Sequence, residues 1–233
     1  MTYARLTQAT LSTHSLAKMI KFEHVWKSYD NHHALRNVNF HVEPGEMVFI
    51  TGHSGAGKST LFRLIGLMEK SSRGTIKVAG KDVSRLPKHF IPHFRRRIGM
   101  VFQDPMLLND LSVIENVALP MKLAGLDHKE LTYQANEALE CVGLLDKAND
   151  KPSTLSTGEC QRVGLARSIA LKPKILLADE PTGNLDPELS EKIFKLLMQF
   201  NERGTTVLVA THDTHLIKRF DYKRIRLNQG LVV

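Results

Sequence analysis

The chain has 233 residues, of which 42% are hydrophobic, and this size suits one α/β domain with at most a subdomain. Its formal charge of +8 permits contact with anionic surfaces, but no basic stretch is interleaved with aromatic residues, so we expect no specific nucleic-acid binding. Two cysteines exclude a disulfide framework and indicate a reducing compartment, and no run approaches the roughly 18 apolar residues that span a bilayer, so membrane contact is expected to be indirect.

Strands and helices are predicted to alternate along the chain. Residues 1–18, rich in Ser, Thr and Ala, are predicted to form a disordered extension, with a natural start at Met19 as the alternative, and no function is expected in them. Apolar patterns then predict strands over residues 20–26, 34–42, 47–51, 74–78, 98–103, 174–178, 205–211 and 224–227. Helical patterns cover residues 112–145 and 188–202. This order predicts an α/β fold with a mainly parallel sheet.

A phosphate-binding loop is predicted between the third strand and the helix that follows it. The pattern G-x-x-x-x-G-K-[ST] is matched by nine consecutive residues: Gly52, His53, Ser54, Gly55, Ala56, Gly57, Lys58, Ser59 and Thr60. Small residues let backbone N–H groups turn towards phosphate oxygens, and the helix adds its positive end. Lys58 would then contact the β- and γ-phosphates of a nucleotide, and the Ser59 hydroxyl would reach Mg²⁺.

Two carboxylates, Asp179 and Glu180, end a hydrophobic strand and are predicted to complete the nucleotide site. Ligands of open α/β sheets bind at the carboxyl ends of strands. Asp179 would reach Mg²⁺, directly or through its water, and Glu180 would orient or deprotonate the attacking water. The strands that end near Gln103 and His212 should reach the same edge of the sheet. Gln103 is therefore predicted to contact Mg²⁺ or the attacking water, and His212 the γ-phosphate.

A further motif precedes the carboxylates and carries a family resemblance. It consists of Leu155, Ser156, Thr157, Gly158 and Glu159, followed by Gln161 and Arg162. With the other motifs in this order, residues 19–230 resemble the nucleotide-binding subunit of ABC-type ATPases. The resemblance implies a P-loop NTPase core with a mainly parallel sheet, an N-terminal antiparallel β subdomain and a helical signature subdomain at about residues 105–165. One ATPase domain would span residues 19–233, with ATP and Mg²⁺ as cofactors.

The same resemblance implies roles for residues within and beside the nucleotide site. Tyr29 would stack on adenine, Glu180 would be the catalytic base, and His212 would act as a switch. Residues 184–186 would contact a second subunit. The implied homodimer encloses two ATP molecules, each held by one subunit's phosphate loop and the other subunit's signature segment.

The signature segment is expected to act on the nucleotide of the partner subunit. The contacts to that γ-phosphate would come from Ser156 and Gly158, with Thr157 and Glu159 in the same binding segment. A Ser and a Gly at a helix start offer a hydroxyl and free N–H groups to an anion. Thr157 stands where the family usually has glycine, and Cys160 where it usually has glutamine. Since a β-branched residue disfavours positive φ, we expect reduced or altered hydrolysis if position 157 needs a glycine conformation.

A finer resemblance points to family members that act in bacterial cell division. It rests on residues 45–60, 96–104 and 115–120. It implies an integral membrane partner and a peripheral location on the cytoplasmic face of the inner membrane. The partner would dock in a groove between the Gln103 region and the helical segment near 105–145. The apolar floor of this groove is predicted to be Met106, Leu107, Leu108 and Leu111, for which ordinary core packing is the alternative.

Other functions are weighed against this one. An ATPase of lipoprotein extraction or macrolide export shares residues 178–186 and is the main alternative. A DNA-repair or chromosome-structure ATPase would need a long coiled-coil insertion before the signature, and a ribosome-acting relative would carry two tandem ATPase units. A clamp that binds ATP without hydrolysing it also stays open because of Thr157.

Overall fold

Two β-sheets and seven α-helices make up the part of the chain that the structure describes. The computed structural model covers residues 18–30, 32–183 and 185–233. The predicted extension therefore lies outside the described residues except for Lys18, and so does Asn184 of the predicted dimer-contact loop.

The first sheet is antiparallel, with the strand order β2-β1-β4-β5. It is formed by β1 (Ile20–Tyr29), β2 (His32–Val42), β4 (Arg73–Val78) and β5 (Lys81–Asp82). Ile20 pairs with Val42 on one side and with Val78 on the other, and all three side chains are fully buried. Since strand side chains alternate between faces, one face of this sheet is apolar and packs on the rest of the protein.

The second sheet is mainly parallel and has the order β10-β9-β3-β8-β7-β6. Its strands are β3 (Met47–Thr51), β6 (Ile98–Val101), β7 (Ile175–Asp179), β8 (Thr206–Ala210), β9 (Lys223–Asn228) and β10 (Leu231–Val232), of which β10 is antiparallel to β9. Val48 and Ile50 pack in one core with the antiparallel sheet, whereas Met47 and Phe49 pack in a second core with the helices. Both faces of β3 are thus covered, which explains its continuous apolar run.

The helices lie on both sides of the parallel strands. They are α1 (Lys58–Ile65), α2 (Ile91–Arg95), α3 (Val113–Ala124), α4 (His128–Cys141), α5 (Thr157–Ile169), α6 (Pro187–Glu202) and α7 (Thr214–Arg219). The helical pattern predicted over residues 112–145 is divided, because Gly125 takes φ +83° and Asp127 caps α4. Among the described helices, none has the length and apolar character needed to cross a bilayer.

The architecture confirms the predicted fold class. A mainly parallel sheet, an antiparallel β layer and a group of helices within residues 105–165 are all present. The parallel pairing of β3 with β8, β8 with β7 and β7 with β6 brings their carboxyl ends to one edge of the sheet. That edge is where the predicted nucleotide residues follow the strands.

Candidate active site

The phosphate loop joins β3 to α1, and its backbone requires glycine at two positions. Gly52 has φ +150°, and a Cβ there would lie 2.4 Å from the carbonyl oxygen of Leu227. Gly57, the N-cap of α1, has φ +106°, and its Cβ would lie 2.7 Å from the carbonyl oxygen of Ala34. No side chain caps α1, so the N–H groups of its first turn are available to an anion.

Lys58 connects the phosphate loop with the carboxylates that follow β7. Its side chain is buried, and Nζ donates to the carbonyl oxygens of Gly52 at 2.8 Å and His53 at 3.3 Å. The same Nζ lies 3.3 Å from Oε1 of Glu180. The ammonium group therefore stands between the loop and Glu180, in position to contact phosphate oxygens on entry of a nucleotide.

Asp179 and Ser59 provide a donor set that fits a magnesium ion. Oδ1 of Asp179 is buried and has no hydrogen-bond partner among the described residues. Burial raises the pKa of Asp179, and a hydrogen bond from the Ser59 hydroxyl offsets this only in part. A buried carboxylate oxygen without a partner, next to a hydroxyl, is the kind of oxygen ligand that Mg²⁺ prefers.

Glu180 is held in a strained backbone conformation at the end of β7. Its φ is +47°, and its N–H donates to the carbonyl oxygen of Ala210 at 2.9 Å. A left-handed conformation is uncommon outside glycine and tends to occur at functional sites. Oε2 lies 3.0 Å from Nδ1 of His212, whose side chain is largely exposed. The carboxylate is thus fixed between Lys58 and His212.

A cavity of about 560 Å³ collects most of the predicted residues of one subunit. It is lined by Tyr29, His32, Ala34, residues 53–60, Gln103, Glu180 and His212. Gln103 follows β6, and a Cβ on Gly183 would lie 3.0 Å from its Nε2. The cavity therefore joins the phosphate loop with residues from three other strand ends and from the antiparallel sheet.

Two residues of this region carry no sequence pattern that would predict them. His32 lines the cavity, and Glu69 is hydrogen-bonded to Tyr29. The Tyr29 hydroxyl donates to Glu69, and Lys27 Nζ lies 2.9 Å from the same carboxylate and 4.6 Å from the centroid of the Tyr29 ring. Burial opposes the ionised form of Glu69, but the hydrogen bonds from Tyr29 and Lys27 outweigh it and lower its pKa. No local motif marks Glu69, because its contacts come from a distant strand.

The signature segment lies outside the nucleotide cavity of its own subunit. None of the described cavity-lining residues comes from positions 156–159. Ser156 is the N-cap of α5, and its hydroxyl donates to Oε2 of Glu159 at 2.8 Å, while its backbone N–H donates to the same atom at 2.8 Å. Lys147 also donates to Glu159, and these bonds, with Lys147 the largest cause, lower the pKa of Glu159 to about 2.

The structure does not require a glycine conformation at Thr157, and the effect of Thr157 on hydrolysis stays a prediction. Thr157 is the first residue of α5 and is absent from the residues with positive φ among those described. Helical φ is negative, so a β-branched side chain is tolerated there. Gly158, by contrast, has no room for a side chain, because a Cβ would lie 2.1 Å from Cδ2 of Leu189.

The residues on both sides of Gln103 are hydrogen-bonded to the signature helix α5. Gln161 donates to the carbonyl oxygen of Phe102 at 2.9 Å, and Arg167 donates to the carbonyl oxygens of Pro105 and Met106. These hydrogen bonds join α5 directly to the residues on both sides of Gln103. Of the predicted dimer-contact loop, Leu185 and Asp186 are described, and Asp186 caps α6 by accepting from the Leu189 N–H at 3.0 Å.

The fold and this site define a P-loop ATPase of the nucleotide-binding cassette type. The family model described as ABC transporter matches residues 35–183, which is more than half of the chain. The chain belongs to this family and is an ATPase subunit.

Two curated relatives and one solved structure are especially similar. The chain is 53% identical to the cell division ATP-binding protein FtsE of Escherichia coli over 213 residues, which cover 91% of this chain and 96% of the relative. It is 42% identical to FtsE of Bacillus subtilis over 92% of this chain and 95% of the relative. The dimeric structure of the ATP-binding cassette MJ0796 in a post-hydrolysis state, bound to ADP and Pi, superposes with a TM-score of 0.84 at 38% identity, covering 92% of this chain and 96% of that one.

Proposed function

We propose that the chain is the ATP-hydrolysing subunit of a membrane-associated complex in bacterial cell division. It works with the integral membrane protein FtsX on the cytoplasmic face of the inner membrane, and its ATP-driven dimer closure controls peptidoglycan hydrolases across that membrane. The division role is supported by the similarity to the FtsE proteins. The observation that carries the chemistry is the meeting of Lys58, Glu180 and His212 at one edge of the parallel sheet.

Glu180 is proposed to act as the general base for the attacking water. Its carboxylate lies between Lys58 and His212, so it is fixed beside the place that a γ-phosphate would occupy. His212 would hold the carboxylate in orientation and contact the γ-phosphate, and Gln103 would help to position the water. A positioned general base typically contributes about 10²–10⁴-fold to the rate.

Asp179 and Ser59 would hold Mg²⁺, and Gln103 would be a further ligand. The unpartnered, buried oxygen of Asp179 supports this assignment. When bound, the ion supplies positive charge that stabilises the phosphoryl group in the transition state. Lys58 adds its charge from beside the carbonyl oxygens of Gly52 and His53.

A homodimer with ATP at its interface is part of this proposal, and the position of the signature segment supports it. Ser156 and Thr157 are exposed at the N-terminus of α5 and do not line the cavity of their own subunit. The similarity to a dimeric cassette supports the same arrangement. Each Ser156 and Gly158 would then contact the nucleotide held by the other subunit, so that loss of the γ-phosphate loosens the dimer.

The partner is proposed to dock near the segment that follows Gln103. Met106 and Leu108 are 64% and 48% exposed, whereas Leu107 and Leu111 are partly buried and Leu107 packs on the core. The exposed pair thus offers the apolar surface, and Leu107 holds the segment in place. A cavity of about 510 Å³ adjoins it, lined by residues of the Gln103 segment and of α5. Nucleotide binding at Gln103 would reach the partner through this segment.

Steady-state ATP hydrolysis by the purified chain, with and without its membrane partner, tests the enzymatic part. We expect the Glu180→Gln variant to hydrolyse ATP at least about 10²-fold more slowly while still binding it. Equal turnover by wild type and variant in both conditions would refute hydrolysis at this site and favour a non-hydrolysing clamp.

Co-purification from detergent-solubilised membranes tests the division role. The expected result is recovery of an FtsX-type protein with the tagged chain. Recovery of a lipoprotein-extracting or macrolide-exporting permease instead would overturn the division role and establish the transporter alternative. The Glu180→Gln variant is the useful bait, because an ATP-bound dimer that hydrolyses slowly stays closed longer.

A further inference from the structure

Residues 81–97 form a strongly basic segment between β4 and β6, called here the basic segment. It begins at β5, the edge strand of the antiparallel sheet, and includes α2. Asp82 is its only carboxylate. Its lysines and arginines are Lys81, Arg85, Lys88, Arg95, Arg96 and Arg97. This imbalance concentrates a large part of the net charge of +8 in one short stretch.

An apolar groove of about 290 Å³ lies within the basic segment. Among the described residues, its lining contains no carboxylate. It includes the apolar side chains of Leu86, Pro87 and Phe90 and the basic side chains of Lys81, His93 and Arg97. Phe90 is 51% exposed, although a phenylalanine is normally buried. The groove therefore combines an apolar body with positive charge.

Several cations of the basic segment are not neutralised within the protein. Arg95 donates to the carbonyl oxygen of Leu67 at 2.7 Å, and Arg96 to that of Leu123 at 3.0 Å. Lys81, Lys88 and Arg97 are exposed and make no ion pair with any described residue. Unpaired cations beside an apolar groove match a ligand that has an anionic head and an apolar body.

We propose that the basic segment binds anionic phospholipids of a bilayer directly, with Phe90 entering the interface between headgroups and acyl chains. Basic side chains near an anionic leaflet are attracted to it, and aromatic rings are favoured at the interface. The proposal rests on the proposed function only in that a membrane-associated complex places an anionic bilayer within reach. An acidic protein surface is the alternative occupant, and it is favoured if the chain binds neither vesicle preparation.

Vesicle flotation of the full-length chain, without nucleotide or membrane partner, tests this proposal. One vesicle preparation contains phosphatidylcholine alone, and the other contains equal parts of phosphatidylcholine and phosphatidylglycerol. The test variants are Lys88→Glu, Arg97→Glu and Phe90→Ser. The control is Lys218→Glu, because Lys218 is an exposed lysine on α7 without an ion pair to any described residue. This substitution changes the net charge by the same amount as Lys88→Glu and Arg97→Glu do.

We expect binding to the phosphatidylglycerol vesicles only, decreasing as salt is raised. Lys88→Glu and Arg97→Glu should each lower the partition coefficient by roughly fivefold or more, since one basic residue near an anionic surface contributes about that factor. Phe90→Ser should also lower the partition coefficient, because it removes the aromatic ring from the interface. The control should stay within about twofold of wild type. Equal binding to both vesicle types, no binding to either, or an equal loss in the control would overturn the proposal.

The result of vesicle flotation does not depend on the results of the ATP hydrolysis and co-purification experiments that test the proposed function. Vesicle flotation contains no partner protein, so a failure to recover an FtsX-type protein would leave a positive flotation result standing. Conversely, an absence of vesicle binding would leave ATP hydrolysis and partner recovery untouched. ATP hydrolysis by the test variants in solution should match wild type, because none of the three residues lines the nucleotide cavity.

Discussion

The bond between Lys147 and Glu159 provides a quantitative test of how the signature helix is held. The described chain has two helices that begin with the same reciprocal cap, Ser112 with Glu115 on α3 and Ser156 with Glu159 on α5. In both, the glutamate accepts from the serine N–H and hydroxyl within 2.7–2.8 Å. Only Glu159 also accepts a hydrogen bond from a lysine. A comparison of the Glu115 and Glu159 caps therefore isolates the contribution of Lys147 to stability.

The change is Glu159→Gln, which keeps the size of the side chain and removes its charge. The pKa of Glu159 falls from an ordinary 4.5 to about 2, mainly through Lys147 and then Ser156. Without solvent screening, this lowering of the pKa would add about 3 kcal/mol to the free energy of unfolding at neutral pH. Because the pair lies at the surface, solvent screening reduces the expected loss of unfolding free energy to about 1 kcal/mol.

The loss should depend on pH in a defined direction. A carboxylate whose pKa is lowered by folding stabilises the protein above its ordinary value of 4.5, and this stabilisation is lost as the pH falls towards about 2. Denaturant titrations of wild type and Glu159→Gln should therefore differ most above about pH 5 and converge as the solution becomes more acidic.

Glu115→Gln is the matched control, and above about pH 5 it should lower the free energy of unfolding less than Glu159→Gln does. A loss for Glu115→Gln as large as that for Glu159→Gln would refute the contribution of Lys147. A difference between wild type and Glu159→Gln that does not shrink at acid pH would refute the electrostatic origin of the effect.

Three further substitutions test other parts of the site. Gly158→Ala should lower the free energy of unfolding by about 1–3 kcal/mol, because the added methyl group clashes with Leu189. Thermal unfolding should show a much smaller loss when the same substitution is made in a Leu189→Ala background. Glu69→Gln should weaken ATP binding several-fold with little effect on kcat, because it releases the Tyr29 ring; unchanged affinity in a nucleotide titration would contradict this. Thr157→Gly should leave ATP turnover within about twofold and cost up to ~1 kcal/mol of helix stability; a much faster enzyme would show that Thr157 does restrain closure.

The central strands were predictable because their environment is simple. β3, β7 and β8 are covered on both faces, so each five-residue strand contains a continuous run of four apolar residues. By contrast, β5 and β10 have two residues each and α2 has five, too few to show a period. Tertiary contacts, not local patterns, place these short elements.

The candidate site shows the same division between local and distant information. The local sequence is enough to predict the phosphate loop and the carboxylates of Asp179 and Glu180, because these motifs consist of neighbouring residues at fixed spacing. Only the tertiary structure shows that Thr157 is helical, that Glu69 is hydrogen-bonded to Tyr29, and that the basic segment contains an apolar groove. Those features arise where residues from separate elements meet, and a contact between distant residues leaves no pattern in the local sequence.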